Sequence, residues 1–117
     1  MDSCVFCKIV EGKAPAVIVD RWDDAVAFTP LNPVALGHTL VVPLAHVANF
    51  TTDPDVTMRT MARAAMLARA MEPSGHWNLI TSKGQHATQT VHHLHVHLVP
   101  RRLGDGLSLP WTGQANA

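Results

Sequence analysis

The chain has 117 residues, 47% of them hydrophobic and 15% charged, and its nine basic and nine acidic side chains cancel. That length suits one domain, which buries roughly two-thirds of the surface its unfolded chain exposes. A neutral chain lacks the electrostatic footprint for bulk nucleic acid or an anionic membrane, so any phosphate recognition must be local, built from backbone amides, hydroxyls and imidazoles.

The opening Met1-Asp2-Ser3-Cys4 has no basic n-region and leads into no long apolar run. No secretory signal or membrane-spanning helix is expected, and the expected compartment is the cytosol, where a structural disulfide is out of place. Cys4 to Val10 reads as a short helical turn or loop, broken by Gly12 and Pro15. Val17 to Trp22 and Ala25 to Phe28 are apolar runs split by Asp23-Asp24 and resemble a hairpin. Pro30-Leu31-Asn32-Pro33 is a proline-clamped loop. His38 to Val42 is the third strand, stopped by Pro43.

Asp53 to Met71 is the one clear helix. Asp53 suits the N-cap, Pro54 the first helical position, and Asp55 complements the dipole. Val56, Met61, Ala64, Ala65, Ala68 and Met71 recur at helical spacing and predict the buried stripe. Pro73, Ser74 and Gly75 end the helix. Trp77 to Thr81 is the fourth strand, Ser82 to Gln89 a polar loop, and His92 to Val99 the fifth strand. Residues 104–117 form an irregular tail, and the whole chain, 1–117, reads as one domain. The expected class is α+β: a five-stranded, mainly antiparallel sheet with one long helix and a short N-terminal helix.

Two constellations carry chemistry. Cys4-Val5-Phe6-Cys7 has the two-residue spacer that lets both thiolates reach one zinc ion, and His46 and His93 could complete a closed Cys2His2 set. A pair of buried cysteines, or a redox pair, would share that spacing. The second is His93-Leu94-His95-Val96-His97, where imidazoles alternate with apolar side chains. On a strand the three imidazoles would share one face, about 6.6–6.8 Å apart along the backbone, while Leu94, Val96 and Leu98 enter the core. Such a row could ligate a catalytic metal, supply a nucleophile with its neighbours on a phosphate, or be a solvated face. Gly84, Thr88, Gln89 and Thr90, just upstream, offer the amides and hydroxyls that developing oxyanions need.

The pattern His-φ-His-φ-His-φ-φ, with Cys4-x-Phe6-Cys7, Ala27 to His46, Gly84 to Val91 and the trailing Pro100-Arg101 in order, closely resembles the histidine-triad (HIT) family. The resemblance implies the HIT-like fold, a homodimer, and hydrolysis or transfer at the α-phosphate of purine nucleoside monophosphate derivatives: phosphoramidates, adenylates or dinucleoside polyphosphates. It implies that His95 is the nucleophile, that His97 bonds the phosphate or leaving group, and that His38 helps orient the triad. Gln89 and Thr90 fall at nucleotide contacts. Cys4, Cys7, His46 and His93 match the structural-zinc ligands of a bacterial branch. No organic cofactor is expected. The sequence departs from the family where an aspartate grips the ribose: Pro30 stands there, which passes that role to Asn32 or to backbone carbonyls. Ser82 replaces a phosphate-contacting asparagine. Trp111 either approaches a partner's site or caps the core. A nucleotide-binding scaffold with weak catalysis, and a metallohydrolase using the triad as ligands, are the competing functions.

Overall fold

A computed structural model describes residues 3–112. Cys4 caps helix α1 (Val5–Val10), its sulfur accepting the Cys7 amide at 3.4 Å. Strands β1 (Ile18–Arg21) and β2 (Ala25–Phe28) form the expected hairpin, closed by Trp22 N–H on the Ala25 carbonyl at 2.9 Å. Strand β3 (Thr39–Pro43) leads to helix α2 (Pro54–Met71), then β4 (His76–Ile80), a 3₁₀ turn (Gln85–Ala87) and β5 (Val96–Arg101). The five strands form one sheet in the order β1-β2-β3-β5-β4, every neighbouring pair antiparallel.

The expected α+β architecture is what the chain adopts. Asp53 caps α2 as its position predicts, accepting the Asp55 amide at 3.1 Å and the Val56 amide at 3.5 Å. The helix covers one face of the sheet, where Ala64 and Leu67 meet Ala25, Ala27, Val41, Val96 and Leu98. Helix α1 covers the other, where Phe6 and Ile9 meet Val26, Phe28, Leu40 and Val42. Alternate residues of β2 and β3 thus enter two different cores, and both strands are buried throughout. That is why they read as continuous apolar runs.

Two expectations need correction. The buried positions of α2 are Val56, Thr60, Ala64 and Leu67, whereas Ala65 is exposed and Met71 is 44% exposed. Thr60 can be buried because its hydroxyl donates to the Val56 carbonyl at 2.8 Å. The fifth strand begins at Val96, not His92. Upstream of Val96 the ladder has no partner: the Leu94 amide goes to the Val47 carbonyl at 2.7 Å, and Thr81 Oγ1 donates to the His95 carbonyl at 2.8 Å. Of the three alternating histidines only His97 lies on a strand, although Leu94, Val96 and Leu98 are buried as expected. Residues 104–112 carry no helix or strand, and the rest of the predicted tail, 113–117, lies outside the described residues. No helix among the described residues is long and apolar enough to cross a membrane.

Candidate active site and metal centre

The imidazoles divide into two adjoining groups. His93, fully buried, joins Cys4, Cys7 and His46, and the four ligand atoms lie within 4.8 Å of one another. Its Nδ1 is 3.4 Å from Cys4 Sγ and 3.5 Å from Cys7 Sγ, and His46 Nδ1 is 3.2 Å from Cys7 Sγ. Zinc bonds of about 2.0–2.3 Å in a tetrahedron set ligand separations near 3.3–3.8 Å, so these residues fit zinc. The tautomer fits too. His93 Nε2 donates to the Pro43 carbonyl at 2.9 Å, which leaves the Nδ1 lone pair for a metal. Burial pushes the Cys7 thiol up to about 11, so metal entry must displace its proton.

The second group is His38, His95 and His97. His95 Nδ1 donates to the His93 carbonyl at 2.8 Å, so Nε2 carries the free lone pair. The rings of His95 and His97 are 5.2 Å apart, closer than a regular strand would set by backbone spacing alone. His97 Nδ1 meets His38 Nε2 at 3.0 Å, and His38 Nδ1 accepts the Val34 amide at 3.1 Å. Burial holds all three below the ordinary histidine value; His97, facing His95 and His38 as well, is lowered to about 4. All three are therefore neutral at neutral pH. Among the described residues no Lys, Arg, Asp or Glu side chain bonds any of them. No buried side-chain nitrogen there lacks a partner, so the unpaired Nε2 atoms of His95 and His97 are open to solvent. The group can thus offer a neutral lone pair and an adjacent donor, without fixed charge.

Phe6 joins the two groups. It lies between the two cysteines in sequence, and its ring stands edge-on to His95 at 5.0 Å and to His93 at 6.0 Å. The Cys-x-Phe-Cys spacing held this signal, read only for its sulfurs. Thr81, which holds the His95 carbonyl, has no local sequence mark beyond its place after a strand.

The remaining candidates are dispersed. Asn32 is exposed on the β2–β3 loop, Ser82 is half-buried just after β4, and neither bonds the histidines. Thr90 is exposed and lines a cavity of about 360 Å³ with Cys4, His46 and His92. Gln89 is buried with its amide committed: its oxygen accepts from the Gly84 amide at 2.9 Å, and its nitrogen donates to the Ala48 and Val91 carbonyls at 2.7 and 3.1 Å. It therefore shapes the loop instead of offering a donor. Trp111 is 44% exposed near the end of the described tail.

An antiparallel α+β sheet bearing a neutral imidazole cluster, braced by a Cys2His2 set, defines a histidine-centred class of zinc-competent protein. Residues 11–104 match the HIT domain family. The chain is 36% identical over 107 residues to an uncharacterized HIT-like protein of Methanocaldococcus jannaschii, covering 88% of this chain and 82% of that one. It is 34% identical over 114 residues to adenosine 5'-monophosphoramidase of Saccharomyces cerevisiae, covering 96% of this chain and 72% of that one. A zinc-bound histidine triad family protein from Mycobacterium smegmatis superposes with a TM-score of 0.79 at 40% identity, covering 92% of this chain and 81% of that one. The chain belongs to the HIT family.

Proposed function

We propose that this protein hydrolyses nucleoside monophosphate derivatives at the α-phosphate through a nucleotidyl-His95 intermediate. The observation that carries the reading is the His95 Nδ1 hydrogen bond to the His93 carbonyl at 2.8 Å, which aims a neutral Nε2 lone pair outward. That nitrogen attacks phosphorus. The bond from phosphorus to the leaving group breaks, His97 Nε2–H holds the departing group by a hydrogen bond, and the proton that group needs comes from solvent water. Water then cleaves the phosphorus–imidazole bond, releasing the nucleoside monophosphate and restoring His95. His38 orients His97. Asn32, Ser82 and Thr90 are assigned to the nucleotide, and Gln89 to the loop that carries Thr90.

The yeast relative is named for an adenosine monophosphoramidate, which supports purine phosphoramidates as the first substrates to try; adenylates and dinucleoside polyphosphates present the same α-phosphate. Zinc on Cys4, Cys7, His46 and His93 would supply cross-linking of α1 to the sheet. A metallohydrolase triad is disfavoured, because the Nδ1 atoms of His93, His95 and His97 face sulfurs, a carbonyl and His38, three different directions. The two free thiols suit a cytosolic protein whose chain is one HIT unit over 1–117. A homodimer would pair the open edge of β4, where Leu79 and Ile80 are 37% and 36% exposed.

The test is hydrolysis of adenosine 5'-phosphoramidate by wild type and by His95→Ala. Turnover by the first and none by the second is expected. Equal rates would dismiss His95, and tight nucleotide binding with no turnover by either would favour the scaffold reading.

A further inference from the structure

We infer that the backbone amide of Val34 is a positioning group that decides which nitrogen of His97 carries the proton, acting through His38. The inference rests on the reading of His97 as hydrogen-bond donor to the phosphate or leaving group.

The argument follows the hydrogen bonds. The Val34 N–H points at His38 Nδ1 from 3.1 Å, and an amide can only donate. His38 Nδ1 is therefore the acceptor. A neutral imidazole carries one proton, so that of His38 sits on Nε2. His38 Nε2 lies 3.0 Å from His97 Nδ1, and with the proton on the His38 side His97 Nδ1 must accept. The proton of His97 is then forced onto Nε2, the atom left facing the site. The reverse arrangement would have His97 donate to His38. It would place a proton on His38 Nδ1, head-on against the Val34 amide at 3.1 Å.

The loop is built to hold that amide still. Thr29 N–H bonds the Val17 carbonyl at 3.0 Å, and His38 N–H bonds the Ala35 carbonyl at 3.1 Å. Thr39 Oγ1 bonds the Gly37 carbonyl at 3.0 Å, while Pro30 and Pro33 stiffen the stretch between. His38 itself is 5% exposed, so no water competes freely for its ring. His95 and His97 thereby hold opposite tautomers on adjacent rings 5.2 Å apart. One presents a lone pair at Nε2 and the other a proton at Nε2. No side chain of the 30–37 loop takes part, so the control is invisible to side-chain motifs.

The test is heteronuclear NMR of the imidazole nitrogens in the wild-type protein, with Val34→Pro and Val34→Ala beside it. Proline removes the N–H, and alanine keeps it. In wild type the proton is expected on Nε2 of His38 and His97 and on Nδ1 of His95. In Val34→Pro the His97 proton should spread over both nitrogens. Its kcat for adenosine phosphoramidate should fall roughly five- to tenfold, the weight of one hydrogen bond, with KM little changed. Val34→Ala should restore both. A wild-type His97 proton on Nδ1 overturns the inference, as does a folded Val34→Pro protein with wild-type tautomers. If Val34→Pro does not fold, the wild-type spectrum alone decides. If the spectrum is as expected but wild type turns over no nucleotide, the hydrolase reading fails and the tautomer relay stands.

Discussion

The carbonyl oxygen of His93 lies 2.8 Å from Nδ1 of His95, while the His93 side chain faces the sulfurs of Cys4 and Cys7. One residue thus serves both groups: its imidazole joins Cys4 and Cys7, and its main chain holds the His95 ring. The Pro43 carbonyl holds Nε2 of the His93 ring, and a metal on Nδ1 would fix the ring, and with it the carbonyl beside it, at both ends.

Replacing His95 by alanine should lower kcat by on the order of a thousandfold or more, as loss of a nucleophile does elsewhere. Zinc content and the far-ultraviolet spectrum should be unchanged, because the His95 side chain belongs to no metal ligand set. Steady-state kinetics with metal analysis on one preparation checks both.

Removing zinc should destabilise the protein more than it alters the sheet itself. Thermal melts with and without a strong chelator should separate, and Cys7→Ser should melt like the chelated wild type. Because the free Cys7 thiol is held up to about 11 by burial, zinc must displace a proton, and apparent affinity should fall as pH falls. Competition titrations against a zinc indicator across a pH series measure this.

Burial lowers His95, so the neutral nucleophile should persist below the ordinary histidine value of 6.5. The acid limb of kcat/KM should therefore bend below that value. Stability has the same sign. His97 binds a proton only near 4 when folded and near 6.5 when unfolded. Its contribution is intact above 6.5, is lost as pH falls from 6.5 to about 4, and changes no further below that. Denaturant melts across that interval should show the loss, and it should shrink in His97→Asn.

Gly37 adopts φ +94°, and an added Cβ would come within 3.3 Å of the Pro100 side chain. Gly37→Ala should cost about 1–2 kcal/mol from the left-handed backbone alone. It should also lower kcat, since His38 follows directly and its ring must keep its aim at His97. Differential scanning calorimetry and the phosphoramidate assay together separate the two effects.

Local signals were legible wherever neighbours in sequence settle the matter. Asp53-Pro54-Asp55 marks the start of α2 because cap and dipole act within one turn. The hairpin of β1 and β2 follows from two apolar runs around Asp23-Asp24. The apolar stripe of α2 includes Ala65 and Met71, which lie outside, and overlooks Thr60, because hydropathy does not know that Thr60 silences its hydroxyl on its own helix. The start of β5 was misread because alternation from His92 onward does not say whether a partner strand lies alongside, and none does before Val96.

Residue order alone carries the inventory: two cysteines on one short turn, five histidines placed for chemistry, and a sheet to carry them. How the imidazoles are divided and which nitrogen carries each proton is set by contacts between residues far apart in the chain. His93 presents Nδ1 to the two cysteine sulfurs because Pro43, 50 positions away, takes its other nitrogen. His97 faces outward as a donor because His38, 59 positions away, takes Nδ1. A tautomer follows the nearest hydrogen-bond partner in space, and those partners are brought together only when β3 pairs with β5.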